Sequence, residues 1–285
     1  MSFFSEGVAV VTGAGSGIGR ALAQRLCAEG SGLAIADIDE AGLRETEQSL
    51  VRKGARITTH VVDVAKEEDV KTFARDVSEQ HGRATLLINN AGVSVHGNFD
   101  ELSLDDFRWL MDINFWGTVY GVKYFLPLLK REARAQIVNV SSVFRLIAPA
   151  GQIPYATSKF AVRGFTEALR HELQGSAVTV SCVHPGGIRT AIARRSRLGA
   201  GASAAKHEEN VARFDRLART PPDKAAEVIL RGVERRSRRI LIGADAYLID
   251  IFQRLRPATY WNAMARRLLD PRVTSEKSKA SAASE

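Results

Sequence analysis

Tyr155 and Lys159 stand four residues apart in the stretch YATSK. On a helix that spacing sets both side chains on one face, about one turn apart. A free tyrosine, with a pKa of about 10, is a poor base near neutrality. A lysine ammonium close by favours the phenolate and makes the phenol a usable acid or base. The competing reading is two ordinary residues on a packed helix. With 5 Tyr and 10 Lys in 285 residues, the pair arises by chance roughly 0.2 times per chain.

Two further features narrow the reading. Ser142 ends the run NVSS thirteen residues before Tyr155, a coincidence of probability roughly 0.07 for a chain with 20 Ser. Near the N-terminus, TGAGSGIG at 12–19 brings Gly13, Gly17 and Gly19 to the junction of an apolar run and a helical one. Glycines there allow a tight turn and let the backbone approach a pyrophosphate at the helix start. That match has a chance expectation of roughly 0.15, and the three coincidences together roughly 0.002.

Asp37 closes the second apolar run, 18 residues beyond Gly19. A carboxylate there can accept hydrogen bonds from the adenosine ribose and repels a 2′-phosphate. Its nearest candidate neighbours, Ser16 and Ile38, are neutral, so no cation is at hand to pair with that phosphate. NAD is therefore expected rather than NADP. The alternative for Asp37 is a cap on the next helix. Asp63 and Val64, and then Asn90, Ala91 and Gly92, follow the third and fourth apolar runs, where small residues leave room for a ligand or serve as turn chemistry.

The elements that must position these residues are legible as a pattern. Runs rich in Val, Ile and Ala (GVAVVTG, GLAIAD, ITTHVVDV, TLLINNAG, QIVNVSS, VTVSCVHPG and RRILIG) alternate with stretches of helical period. This implies βαβ crossovers and a parallel sheet covered on both faces. The expected fold is α/β: one Rossmann-like doubly wound parallel sheet of about seven strands, with a C-terminal helical extension. Residues 1–243 form the catalytic domain. Within it, 190–218 read as a mobile Gly/Ala/Ser-rich insertion beside the substrate. An amphipathic helical extension follows at 244–270 and a disordered polar tail at 271–285.

These residues, in this order, resemble the short-chain dehydrogenases/reductases of the classical type. The likeness covers residue 7 to about 190: TGAGSGIG, Asp63, NNAG at 89–92, Asn114, Ser142, Tyr155 with Lys159, and PGGIRT at 185–190. It implies that Tyr155 is the general acid/base, that Ser142 holds the substrate oxygen, and that Lys159 also grips the nicotinamide ribose. Asn114 is then expected to position a water relaying protons to Lys159. The cofactor contacts extend to Gly13, Ser16, Gly17, Ile18, Gly19, Asp37, Ile38, Asp63, Val64, Asn90, Ala91 and Gly92, and include Tyr155 and Lys159 themselves. Pro185, Gly186, Ile188 and Thr190 would line the nicotinamide end. Relatives commonly pair through the two long helices bearing Asn114 and Tyr155, so a homodimer or homotetramer is expected. Taken singly, Ser142 could cap an element and Asn114 could bond a neighbouring carbonyl.

Val93, Val95, Phe144, Leu146, Ile147 and Ile153 surround the presumed pocket and suggest a hydrophobic alcohol or ketone, long-chain or steroid-like. Arg145 reads as a solvent-facing loop arginine, with an anion contact as the alternative, and His184 as a packed residue. The net charge of +8 is uneven: Arg189 to Arg272 carries 19 basic against 9 acidic residues. No aromatic interleaving suited to single-stranded nucleic acid accompanies it, and no nucleic acid is expected as partner. The 244–270 extension can rest on an anionic membrane surface or pack on the core or a second subunit.

Cys27 and Cys182 form neither a disulfide framework nor a metal-ligand spacing, and no metal is expected. The absence of a signal-like N-terminus and of a long apolar run points to a cytoplasmic protein, with peripheral membrane contact open through the extension. The rival of another class is a catalytically silent dinucleotide-binding redox sensor. Such relatives typically lose the tyrosine or lysine, and both stand here.

Overall fold

Apolar runs short enough to be strands, each followed by a helical stretch, produce a parallel sheet because the chain must cross over to return in the same direction. The computed structural model describes residues 3–50, 54–199 and 201–261. In chain order its strands are β1 (Val8–Thr12), β2 (Gly32–Asp37), β3 (Ile57–Val61), β4 (Leu86–Asn89), β5 (Val95–His96), β6 (Ala135–Val140), β7 (Val178–Pro185), β8 (Arg197–Leu198) and β9 (Arg239–Ile242). Seven of them make one parallel sheet in the order β3-β2-β1-β4-β6-β7-β9, matching the seven expected runs. β5 and β8 form a small separate parallel pair.

Both faces of the sheet are buried, and adjacent residues on a strand serve opposite faces. Val11 and Ile88 join Leu22, Leu26, Ile229 and Val233 from α1 (Gly17–Ala28) and the later helix Pro222–Glu234. Val10 and Leu87 join Phe73, Phe125 and Leu169 on the other face. That face is covered by α3 (Glu67–His81), α5 (Gly117–Leu129) and α6 (Ile153–Glu172), while α2 (Glu40–Gln48) flanks β2 and α4 (Leu104–Met111) leads into α5. A fully buried leucine-sized side chain contributes about 1.5–3 kcal/mol, so this two-sided packing fixes the sheet's position firmly.

β1 pairs with both β2 and β4, so the crossovers reverse direction there. Open α/β sheets take ligands in the crevice outside the carboxyl ends of the strands at such a reversal. One expectation gains detail and another is met. The 190–218 insertion carries β8 and a 14-residue helix, α7 (Ala204–Leu217), in place of an unstructured loop. The C-terminal extension begins, after α8 (Pro222–Glu234) and β9, as α9 (Ala244–Leu255). Residues 262–270 of the expected extension, and the 271–285 tail, lie outside the described residues.

Candidate active site

At the nucleotide end the backbone does most of the work. Gly17 takes φ +53°, in the left-handed region, and a Cβ on Gly19 would collide with the Gly13 carbonyl. Only glycine suits either place. Ser16 caps α1 with extended backbone but no side-chain cap bond, and no acid stands in the first turn. The start of α1 thus lacks a side-chain acceptor of its own, an arrangement that suits an anion. Ile18 packs partly against the core behind the loop.

The Asp37 carboxylate accepts hydrogen bonds from Gly15 N–H at 2.8 Å and Asp39 N–H at 3.0 Å. It thus ties the end of β2 to the glycine loop. The cap of α2 is Asp39 rather than Asp37. Ile38 is 67% exposed at the rim. Asn90 donates from Nδ2 to the Thr12 carbonyl at 3.0 Å, while the N–H groups of Asn90 and Ala91 donate to Thr12 Oγ1. These bonds clamp the carboxyl ends of β1 and β4 together. Asp63 accepts from Ala65 N–H at 3.1 Å, and Val64 is buried against Gly117. Both stand at the end of β3, as turn residues as well as cleft neighbours.

The chemical end is built from side chains. Tyr155 and Lys159 lie in the first turns of α6, entered through Gln152 and Pro154. Lys159 Nζ stands 5.6 Å from the centre of the Tyr155 ring and donates to the Val140 carbonyl at 3.1 Å. Ser142 caps the turn after β6, accepting from Phe144 N–H at 3.1 Å. The Phe144 ring meets Tyr155 edge-on at 5.9 Å.

Asn114 sits in a π-helical turn, Asp112–Trp116, between α4 and α5, a geometry frequent at functional sites. Its amide is fully engaged: Oδ1 accepts from Val93 N–H at 2.8 Å, and Nδ2 donates to the Val93 carbonyl and to Ser158 Oγ. A Cβ on Gly92 would stand 3.2 Å from Asn114 Oδ1 and 3.4 Å from Lys159 Nζ. Glycine there lets the strand end, the asparagine and the lysine converge.

Burial pushes the Tyr155 phenol above its ordinary value, with Ser142 pulling the other way. Burial also lowers Lys159, to about 8. Within the protein alone, desolvation therefore outweighs the downward pull that the Tyr-Lys spacing predicts. In the 185–190 stretch, the Thr190 methyl faces Gly17 of the glycine loop. Pro185 ends β7, and Gly186 N–H donates to the Ile242 carbonyl at 2.9 Å. Ile188 is buried in the core, its backbone bridged to Thr220 and its carbonyl accepting from Thr190 N–H at 2.8 Å.

Other expectations change. Arg145 is not a solvent-facing loop residue: it is 1% exposed, with Nε and Nη2 unpartnered among the described residues. Burial and the nearby Arg239 lower it to about 9. His184 is packed as expected, on β7. Val95, Leu146 and Ile147 are buried, whereas Ile153 is 42% exposed.

Three features escaped sequence reasoning. Arg195 reaches across to Asp39 at 3.6 Å, bringing a guanidinium to the ribose side of the cleft. His96, beside Gln152 at 3.0 Å, also meets Asn210 of α7. Asp245 of α9 accepts from Gly187 N–H at 2.7 Å. All three are contacts between distant segments, which carry no local spacing signal.

The geometry has counterparts among known proteins. Residues 7–200 match the short chain dehydrogenase family. Over 269 residues the chain is 42% identical to the oxidoreductase SadH of Mycobacterium tuberculosis, covering 93% of this chain and 96% of that one. A short chain dehydrogenase/reductase from Burkholderia phymatum, solved in complex with NAD, superposes with a TM-score of 0.82 at 31% identity, covering 90% and 95% of the two chains. An alcohol dehydrogenase from Thermococcus sibiricus, complexed with 5-hydroxy-NADP, gives 0.69 at 25% identity, covering 83% and 95%.

Proposed function

The chain belongs to the short-chain dehydrogenase family and is an oxidoreductase with a dinucleotide-binding fold, and on that premise we propose that it interconverts a hydrophobic secondary alcohol and its ketone with NAD. One observation carries the reading: Ser142, Tyr155 and Lys159 converge, and Lys159 abuts Gly92, which follows the Asn90–Ala91 pair that meets Gly13 of the glycine loop. The nicotinamide, when bound, accepts or supplies the hydride.

The protein's own groups do the rest. Ser142 donates a hydrogen bond to the substrate oxygen and stabilises charge there. Tyr155 gives its proton to that oxygen in reduction and takes it back in oxidation. Its upward-pushed phenol is protonated near neutrality, ready to act as the acid. Lys159, half-neutralised at about pH 8, holds the nicotinamide ribose and feeds charge to the phenol. Asn114 orders the Lys159 neighbourhood and a proton-relay water. The cofactor residues singled out above fit the group: bare α1 N–H donors for the pyrophosphate and a carboxylate, Asp37, for the ribose hydroxyls.

Phe144 against Tyr155, with half-buried Val93, supports an apolar substrate. Exposed Trp116 and Phe160, at the start of α5 and on α6, support pairing of subunits through these helices. Tyr247, Leu248, Ile251 and Leu255 are exposed on α9 near Arg254 and Arg256. That row supports contact with an anionic lipid surface, where such a substrate dissolves. No helix among the described residues is long and apolar enough to cross a membrane.

The test is NADH absorbance with NAD and NADP offered separately against secondary alcohols running from short chains to hydroxysteroids. NAD-linked turnover that improves with apolar size supports the proposal. Tight NADH binding without turnover of any alcohol or ketone would return the redox-sensor reading.

A further inference from the structure

We propose that Asp245 is a positioning residue that sets the nicotinamide wall of the cleft from the C-terminal side, an inference that rests on the dinucleotide reading above. β7 and β9 are adjacent parallel strands whose carboxyl ends, Pro185 and Ile242, are paired in register. Beyond them the two chains diverge into the 185–190 loop and into α9. One side chain spans the gap. The Asp245 carboxylate accepts from Gly187 N–H at 2.7 Å.

The fit is close where the carboxylate meets the two glycines, while its outer side faces solvent. A Cβ on Gly186 would collide with the Asp245 carboxylate, and so would one on Gly243. Gly243 adopts φ +93° to turn the chain from β9 into α9 and bring Asp245 under the loop. The carboxylate therefore occupies the space that a side chain at position 186 would fill. A charged acceptor holds a backbone N–H more firmly than a neutral one, so the orientation of the 186–187 peptide depends on Asp245.

The rest of the loop is tied to the same side of the molecule. Arg189 N–H donates to the Thr220 carbonyl at 2.9 Å, and Thr220 N–H to the Gly187 carbonyl at 3.2 Å. The segment beyond α9 also touches the opposite wall, where Ala148 N–H, in the loop after Ser142, donates to Tyr260 Oη at 3.2 Å. α9 itself is anchored by the ion pair of Asp250 with Arg239. The C-terminal segment thus braces both walls, and Asp245 is the brace that reaches the nicotinamide end.

The experiment compares binding of NADH with that of ADP-ribose, which has the pyrophosphate and lacks the nicotinamide, alongside steady-state kinetics. Wild type should bind NADH more tightly than ADP-ribose. Failure of that comparison would sink the dinucleotide reading itself, whatever Asp245 does. In Asp245→Ala, NADH affinity and kcat should each fall about tenfold, the loss expected of one hydrogen bond to a charged acceptor. ADP-ribose affinity should stay within about twofold.

Asp245→Asn, which keeps an acceptor oxygen, should recover most of both. Gly186→Ala, which displaces the carboxylate without deleting it, should repeat the alanine pattern and serves if Asp245→Ala fails to fold. Unchanged NADH binding and kcat in a folded variant would overturn the proposal. So would an equal weakening of NADH and ADP-ribose, the mark of general loosening.

Discussion

The two ends of the cleft are made of different material. At the proposed nucleotide end the groups on offer are backbone: the Gly17 turn, the Gly19–Gly13 contact and the start of α1 without a side-chain cap. At the chemical end they are side chains from distant segments, with Lys159 over Tyr155, Asn114 bonded to Val93, and His96 meeting Gln152 and Asn210. Backbone sites tolerate little variation, because a single Cβ fills them. Side-chain sites can be retuned one residue at a time. The proposed cofactor half is thus the rigid one, and the proposed substrate half the adjustable one.

The comparison breaks first at Tyr155. Tyr155→Phe should lower kcat by about 10³-fold, within the range for loss of general acid–base catalysis, and leave NADH affinity unchanged by titration calorimetry. Gly19→Ala should do the reverse. Its Cβ meets the Gly13 carbonyl, and dinucleotide affinity should fall about 100-fold, the same free energy as an overpacked contact of 2–3 kcal/mol, with the circular dichroism spectrum retained.

A third outcome concerns pH. The Lys159 value is lowered to about 8 in the folded state from an ordinary 10.5. Between those values the unfolded chain binds more protons, so this group's contribution to stability is complete above about pH 10.5 and lost as pH falls through about 8. The difference corresponds to about 3 kcal/mol. Denaturant titrations should show Lys159→Met with a flatter stability–pH slope over that window than wild type. An identical slope would contradict the buried-lysine account.

Smaller effects sharpen the boundary between the halves. Asp37→Ala should improve NADP use relative to NAD about tenfold by removing the repelling carboxylate. Arg195, brought close by its pairing with Asp39, should add to that gain, and a double variant with Arg195→Ala should lose part of it in steady-state assays. Asn210→Ala frees α7 from His96. It should raise substrate KM about threefold, one modest hydrogen bond, with the KM for NAD unmoved.

What was legible in the sequence follows the same division. The inner strands β1, β4 and β6 stand out because apolar runs buried on both faces are continuous, whereas β3 (Ile57–Val61) is partly exposed and mixed in character. The glycine loop and the Tyr-Lys pair stood out because their functions need fixed local spacing. Arg145 was misread because nothing in VFRLI shows that its chain folds inward beneath α9. α7 was missed because a Gly/Ala/Ser-rich segment hides the helical AAKHEENVARFDRL that follows it. Asp245 and Asn210 act across the fold on residues 58 and 114 positions away, and no local pattern marks such pairs.

The most direct test of hydride transfer is to follow a label. With NAD and the best alcohol of the panel carrying deuterium at its carbinol carbon, the NADH formed should be examined by proton NMR. The account predicts one deuterium at C4 of the nicotinamide, delivered to a single face. Unlabelled NADH, or alcohol consumed without NADH, would contradict it.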